Sequence, residues 1–96
     1  MSYELRFKTS ALREWRKLGA TIRDAFKKKL KERLKNPHIE KDKLRGLPQC
    51  YKIKLRTAGY RLVYAVDDKT ITITVITIGK RERNRAYLLA KRRRTD

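Results

Sequence analysis

Four cations, Lys52, Lys54, Arg56 and Arg61, lie in two stretches where basic residues alternate with apolar ones: Tyr51-Lys52-Ile53-Lys54-Leu55-Arg56 and Tyr60-Arg61-Leu62-Val63-Tyr64. A period of two marks a strand with one buried face, so burying Tyr51, Ile53 and Leu55 turns Lys52, Lys54 and Arg56 to the other side. A two-residue Ala58-Gly59 connection would set Arg56 opposite Arg61 and Lys54 opposite Val63, which brings Arg61 onto the same face. The same rule across an Asp68-Lys69 turn pairs Leu62 with Val75 and Tyr64 with Ile73, leaving Thr72, Thr74 and Ile76 beside Arg61. That face holds no carboxylate. Like charges directly across a sheet are unfavourable, and a polyanion would relieve them. Gly79-Lys80-Arg81-Glu82-Arg83 offers a phosphate grip at the sheet end, and Tyr87 can return toward the same cleft to stack on an unpaired base. Taken singly, these features also fit a solvated basic face and a packed tyrosine.

Residue types that are absent narrow the chemistry. There is no Walker loop, and Ser2 and Ser10, the only serines, lie near no candidate base. One Cys and one His cannot assemble a zinc site or an intrachain disulfide, so the chain reads as cytosolic, with no metal and no cofactor. His38, beside Pro37, reads as a surface-loop residue, and Cys50 as a small strand-edge hydrophobe. What remains is phosphate binding, or phosphoryl transfer driven by cations.

The elements that must position these cations are legible in outline. Tyr3, Leu5 and Phe7 alternate with charged residues, giving a strand over residues 3–8 with those three side chains inward. Thr9 or Ser10 can cap a short helix carrying Leu12, Trp15 and Leu18, with Gly19 as a left-handed stop. Thr21 and Asp24 resemble a capping box for a second helix, whose Ile22, Phe26, Leu30 and Leu34 recur every four residues, with Ala25 beside them, before Pro37. Its outer side, Lys27, Lys28, Lys31 and Lys35, is either a solvated face or a nucleic-acid surface. Residues 38–50 read as a connection anchored by Leu44 and Leu47. Three strands follow, at 51–56, 60–66 and 71–78, forming an antiparallel meander. Residues 80–94 have helix-forming composition, with Ala86, Leu89 and Ala90 for packing, and are expected to form a closing helix with a frayed basic tail from Lys91 to Arg94. The expected class is α+β: N-terminal strand, helical hairpin, three-stranded antiparallel meander and C-terminal helix.

Ninety-six residues make one small domain, expected to span 1–96. Its 28 Lys and Arg against 10 Asp and Glu give a net charge of +18, with residues 1–48 and 49–96 each carrying +9. A hydrophobic fraction of 40% argues for a folded chain rather than a basic tail, and nucleic acid is the first partner to consider. No signal peptide or membrane span is evident, so no membrane partner is expected and the localisation reads as cytoplasmic.

Leu44-Arg45-Gly46, Tyr51-Lys52-Ile53-Lys54, Gly59-Tyr60-Arg61-Leu62-Val63-Tyr64 and Ile78-Gly79-Lys80-Arg81-Glu82-Arg83, with the hairpin Leu12-Arg13-Glu14-Trp15-Arg16-Lys17-Leu18-Gly19, together resemble the RelE toxins of bacterial toxin-antitoxin pairs. The likeness covers nearly the whole chain. It implies a RelE-like, microbial-RNase-like fold and a ribosome-dependent endoribonuclease that cuts mRNA in the ribosomal A site and inhibits translation. Implied partners are the 70S ribosome with its rRNA, the A-site mRNA, and a RelB-like antitoxin through which the complex binds operator DNA. The family's catalytic positions fall on Lys52, Lys54, Arg61, Arg81 and Tyr87. RNA and ribosome contacts are expected at Lys27, Lys28, Lys31, Lys35, Arg45, Arg56, Lys80 and Arg83. Under this resemblance the messenger's 2′-hydroxyl attacks the adjacent phosphate without a metal. Arg61 and Lys52 would stabilise the phosphorane, and Lys54, amid like charges, would act as base. Arg81 would serve the leaving 5′-oxygen, and Tyr87 would orient the codon. Two alternatives stay open: a basic module that binds RNA or ribosomes without cutting, and a gyrase-inhibiting relative on the same fold.

Overall fold

The computed structural model describes residues 2–80 and 85–94. The chain runs β1 (Glu4–Phe7), α1 (Thr9–Lys17), α2 (Ala20–Lys35), a 3₁₀ turn (Glu40–Asp42), β2 (Cys50–Leu55), β3 (Tyr60–Asp67), β4 (Thr72–Lys80) and α3 (Arg85–Arg94). The α+β class and the meander are as expected. The N-terminal strand joins the meander parallel to β4, giving a four-stranded sheet of order β1-β4-β3-β2. As the edge strand, β1 buries less than its alternation suggests: Tyr3 and Phe7 pack on the core, but Leu5 is 37% exposed.

The helical hairpin forms without the expected caps. Lys8 precedes α1, Gly19 precedes α2, and neither helix start has a side-chain cap, so the Thr9/Ser10 cap and the Thr21-Asp24 box are not made. Gly19 has φ −65°, not the left-handed stop its type suggests. The first helix ends instead at Leu18, which turns extended and drops into the core with 8% of its surface exposed. Burying a leucine contributes about 1.5–3 kcal/mol, against about 1 kcal/mol for a typical side-chain cap. Packing therefore sets this corner.

α1 and α2 cover one face of the sheet, where Ala11, Phe26 and Leu30 meet Ile53, Leu62, Tyr64, Ile73, Val75 and Ile78. The other face carries a second, smaller core: Leu47, Cys50, Val63, Ala65, Ile76 and Ala90, with Leu44 and Tyr87 packed against it. Leu44 and Leu47 anchor the connection as expected, and Cys50 is fully buried. Of the apolar residues assigned to the last helix, Ala90 is buried and Leu89 half-buried, while the Ala86 side chain lies outside the described residues. The last helix is described over Arg85–Arg94, so Lys80 belongs to β4, and the tail expected to fray is instead helical, held by the Arg93–Glu14 pair.

Register departs from expectation by two residues at both hairpins, and the faces survive because two is one full side-chain period. Lys54, not Arg56, lies opposite Arg61, and Lys52 lies opposite Val63. The connection is a four-residue turn closed by the Gly59 N–H donating to the Leu55 carbonyl (2.8 Å), with Gly59 at φ +71°. At the next turn the Asp67 carboxylate accepts from the Lys69 and Thr70 N–H groups, so that Asp67 pairs with Thr72 and Tyr64 with Val75. Between Val63 and Tyr64 the register then shifts, a bulge that gives Val63 to Thr77, Leu62 to Ile78 and Arg61 to Gly79. Gly79, rather than Thr72, Thr74 or Ile76, is therefore Arg61's neighbour, and Ile76 is buried in the smaller core.

Candidate active site

The far face of the sheet is thus divided. Its lower part is apolar under α3, and its upper part, at the β2–β3 hairpin, is cationic. There the strand period presents Lys52 and Lys54 from β2 and Arg61 from β3, all half-buried, with Arg56 exposed where β2 ends. Tyr87 of α3 leans over them, its ring centre 5.2 Å from the Arg61 guanidinium carbon and 6.0 Å from Lys52 Nζ. The structure therefore brings four of the expected catalytic residues, Lys52, Lys54, Arg61 and Tyr87, into one cluster. Arg81 and Arg83 lie outside the described residues.

Electrostatics within the cluster are uneven. Lys54 is held below the usual lysine range, chiefly by the neighbouring Lys52 charge, then by partial desolvation and the charges of Arg61 and Arg56. Tyr87 is held above the usual phenol range by burial, with the Arg61 charge pulling the other way. Arg61 Nε and the Tyr87 hydroxyl are buried and without a hydrogen-bond partner among the described residues. Natively folded chains satisfy nearly all such groups, and the two lie side by side, close enough for Arg61 to pull the Tyr87 hydroxyl downward by charge and hydrogen bonding. A cleft of about 210 Å³ lined by Lys54, Arg56, Gly59, Tyr60 and Arg61 opens beside them. No three His, Cys, Asp or Glu side chains converge as a metal site among the described residues.

The remaining expected contacts are dispersed. Lys80 is exposed at the end of β4, opposite Tyr60. Lys27, Lys28, Lys31 and Lys35 are exposed along α2, away from the cluster's clefts, and Arg45 lines a separate depression with Glu40, Lys43 and Pro48. The α2 lysine that does reach the cluster is Lys29, which with Lys41, Lys52, Lys54 and Arg56, and with the carboxylates of Glu32 and Asp42, lines a groove of about 580 Å³ along the β2 edge. It was detectable in the sequence: Lys29 follows Ala25 by four residues and Ile22 by seven, on the flank of the buried stripe.

Arg33 was also missed. Its guanidinium donates to the Lys52 carbonyl (3.2 Å) and the Tyr64 hydroxyl (2.8 Å) and pairs with Asp42 (2.6 Å), tying α2 to the strand that carries Lys52. His38 sits away from the cluster, its Nε2 2.9 Å from Asp68 and its Nδ1 3.0 Å from the Tyr51 hydroxyl, in keeping with a surface-loop role.

Comparison with known proteins gives this arrangement a family. Residues 5–85 match the family described as ParE toxin of type II toxin-antitoxin system, parDE. The chain is 57% identical over 93 residues to the mRNA interferase toxin RelE of Escherichia coli strain K12, covering 97% of this chain and 98% of that one. A doubly arginine-substituted E. coli toxin RelE in the free state aligns with a TM-score of 0.89 at 55% identity, over 97% of this chain and 98% of that one. A chain of the intact E. coli RelBE toxin-antitoxin complex aligns with a TM-score of 0.83 at 58% identity, over 85% of this chain and 100% of that one. With the basic cluster on the sheet and this likeness along nearly its whole length, the chain belongs to the RelE toxins of the type II toxin-antitoxin family.

Proposed function

We propose that the chain, acting as one toxin domain over residues 1–96, cleaves mRNA in the ribosomal A site through attack of the messenger's own 2′-hydroxyl on the adjacent phosphate. The observation that carries this reading is the convergence of Lys52, Lys54 and Arg61 on one face beneath Tyr87, with Arg61 directly across the ladder from Lys54. Negative charge grows on the non-bridging phosphate oxygens as the phosphorane forms, so fixed cations there favour the transition state over the ground state. Arg61 and Lys52 take that role. Lys54, whose neutral form is favoured by its cationic neighbours, takes the 2′-hydroxyl proton. Arg81 serves the departing 5′-oxygen, and Tyr87 holds the cations in place and orients the codon. The ribosome supplies the positioning that so shallow a face cannot.

The E. coli relative's name, mRNA interferase toxin, and its solved complex with RelB support the same activity and a RelB-like antitoxin for this chain. Lys27, Lys28, Lys31, Lys35, Arg45, Arg56, Lys80 and Arg83 grip ribosomal or messenger phosphates, and working on ribosomes places the toxin in the cytoplasm. None of the described helices is long and apolar enough to cross a membrane. The test is a purified translation system with 5′-end mapping of the messenger. Cuts within the A-site codon that require ribosomes are expected. Comparable cutting of free RNA, or inhibition of gyrase without any cutting, would overturn the reading.

A further inference from the structure

The parallel strand β1 ends at Phe7, opposite Val75, so among the described residues the outer edge of β4 from Ile76 onward has no strand beside it. Two side chains complete that edge. The Glu14 carboxylate of α1 accepts the Ile78 N–H (3.1 Å), and the Arg93 guanidinium of α3 donates to the Ile76 carbonyl (3.1 Å). Arg93 also reaches both Glu14 oxygens, at 2.9 and 3.3 Å, in a pair whose side chains are only 17% and 27% exposed. This two-point contact fixes orientation as well as distance.

The pair lies at one end of a short line along α3. Tyr87, Ala90 and Arg93 recur every three residues and share a face. Tyr87 meets Arg61 and Lys52, Ala90 is fully buried in the smaller core, and Arg93 meets Glu14. Leu88 points away and is 66% exposed. Tyr87 and Ala90 pack on the smaller core at one end of this line, and the Arg93 contact pins its other end, so together they set the angle at which Tyr87 arrives.

We propose that the Glu14–Arg93 pair positions the reaction site, seating α3 against the open edge of β4 so that Tyr87 lies over Arg61 and Lys52. Neither residue touches the messenger; both act through Tyr87. The role rests on the cleavage reading above, and its test has an arm that does not. In that arm, NMR reads the contacts between the Tyr87 ring and the Arg61 side chain in the free toxin. Arg93→Ala and Glu14→Gln are expected to lose those contacts while the rest of the spectrum stays native, Arg93→Lys to keep part of them, and Lys91→Ala to keep all.

In the kinetic arm, Arg93→Ala is expected to slow single-turnover cleavage at saturating ribosomes by roughly 10- to 100-fold, the scale of a small misplacement. Added to Tyr87→Ala, it is expected to cost no more than about twofold further, because the two changes remove one interaction. Retained Tyr87–Arg61 contacts in both Arg93→Ala and Glu14→Gln would overturn the proposal, as would multiplicative losses in the double variant. If the wild-type toxin cuts nothing on ribosomes, the cleavage reading fails and the NMR arm alone decides the positioning role.

Discussion

Replacing Arg61 with alanine is expected to lower the single-turnover cleavage rate at saturating ribosomes by about 100-fold or more, the loss typical of removing one charge stabiliser. Affinity should change little, since one phosphate contact among many sets a small part of it. The expectation follows from placement. Arg61 stands across from Lys54 and is covered by the Tyr87 ring. Gly79, its other cross-strand neighbour, has no side chain to intervene. The exposed lysines of α2 give the contrast. Alanine at Lys27, Lys28, Lys31 or Lys35 should weaken ribosome binding and flatten the log affinity against log salt slope by up to about 0.9 per lost contact. The rate of bound toxin should not change. If the helix variants slow that saturated rate as much as Arg61→Ala does, docking and catalysis are not divided between helix and sheet.

The second large effect concerns Lys54 as a base rather than a charge. Lysine can shed its proton and arginine cannot, so Lys54→Arg should lose about as much rate as Lys54→Ala, on the order of 100-fold or more. A pure charge stabiliser would instead be largely rescued by arginine. The pH profile carries the same information. A base must be neutral to act, so the bound-state rate should climb with pH and level off below the ordinary lysine value of 10.5, because Lys54 is shifted downward. Lys52 is the largest cause of that shift, and Lys52→Ala should move the plateau to higher pH. Each unit of displacement costs about tenfold in rate at a fixed lower pH. Folding linkage has a matching sign. With the folded value depressed, the unfolded chain holds more protons between the two values, so stability rises with pH across that window. A Lys54→Arg variant that keeps near wild-type rate would remove the base assignment.

Much of the site was readable because side-chain alternation survives an error in turn length. The sequence places Lys52, Lys54 and Arg61 on one face whether the first hairpin turn has two residues or four. The pairing partners were not readable, because they depend on how Gly59 and Asp67 close their turns, and on a bulge between Val63 and Tyr64 that no local pattern announces. Alternation also overstated the cationic face. Cys50, Val63, Ala65 and Ile76 occupy that side too, buried by Leu47 and Leu44 of the connection and by Ala90 and Tyr87 of the last helix. The corner between the first two helices failed for a related reason, since Leu18's burial, rather than a left-handed Gly19, ends the first helix. Arg33, Glu14 and Arg93 act across elements distant in sequence, where no spacing rule reaches.

The central claim is that the toxin supplies charge and proton transfer while the messenger supplies the nucleophile. Its most direct measurement places a single 2′-deoxynucleotide at the mapped cleavage position of an A-site codon and follows single-turnover cutting on ribosomes, with the ends of the unmodified messenger analysed alongside. The account predicts no cutting at the modified position, and a 2′,3′-cyclic phosphate and a 5′-hydroxyl on the unmodified messenger. Undiminished cutting at the deoxynucleotide, or a 5′-phosphate end, would contradict it.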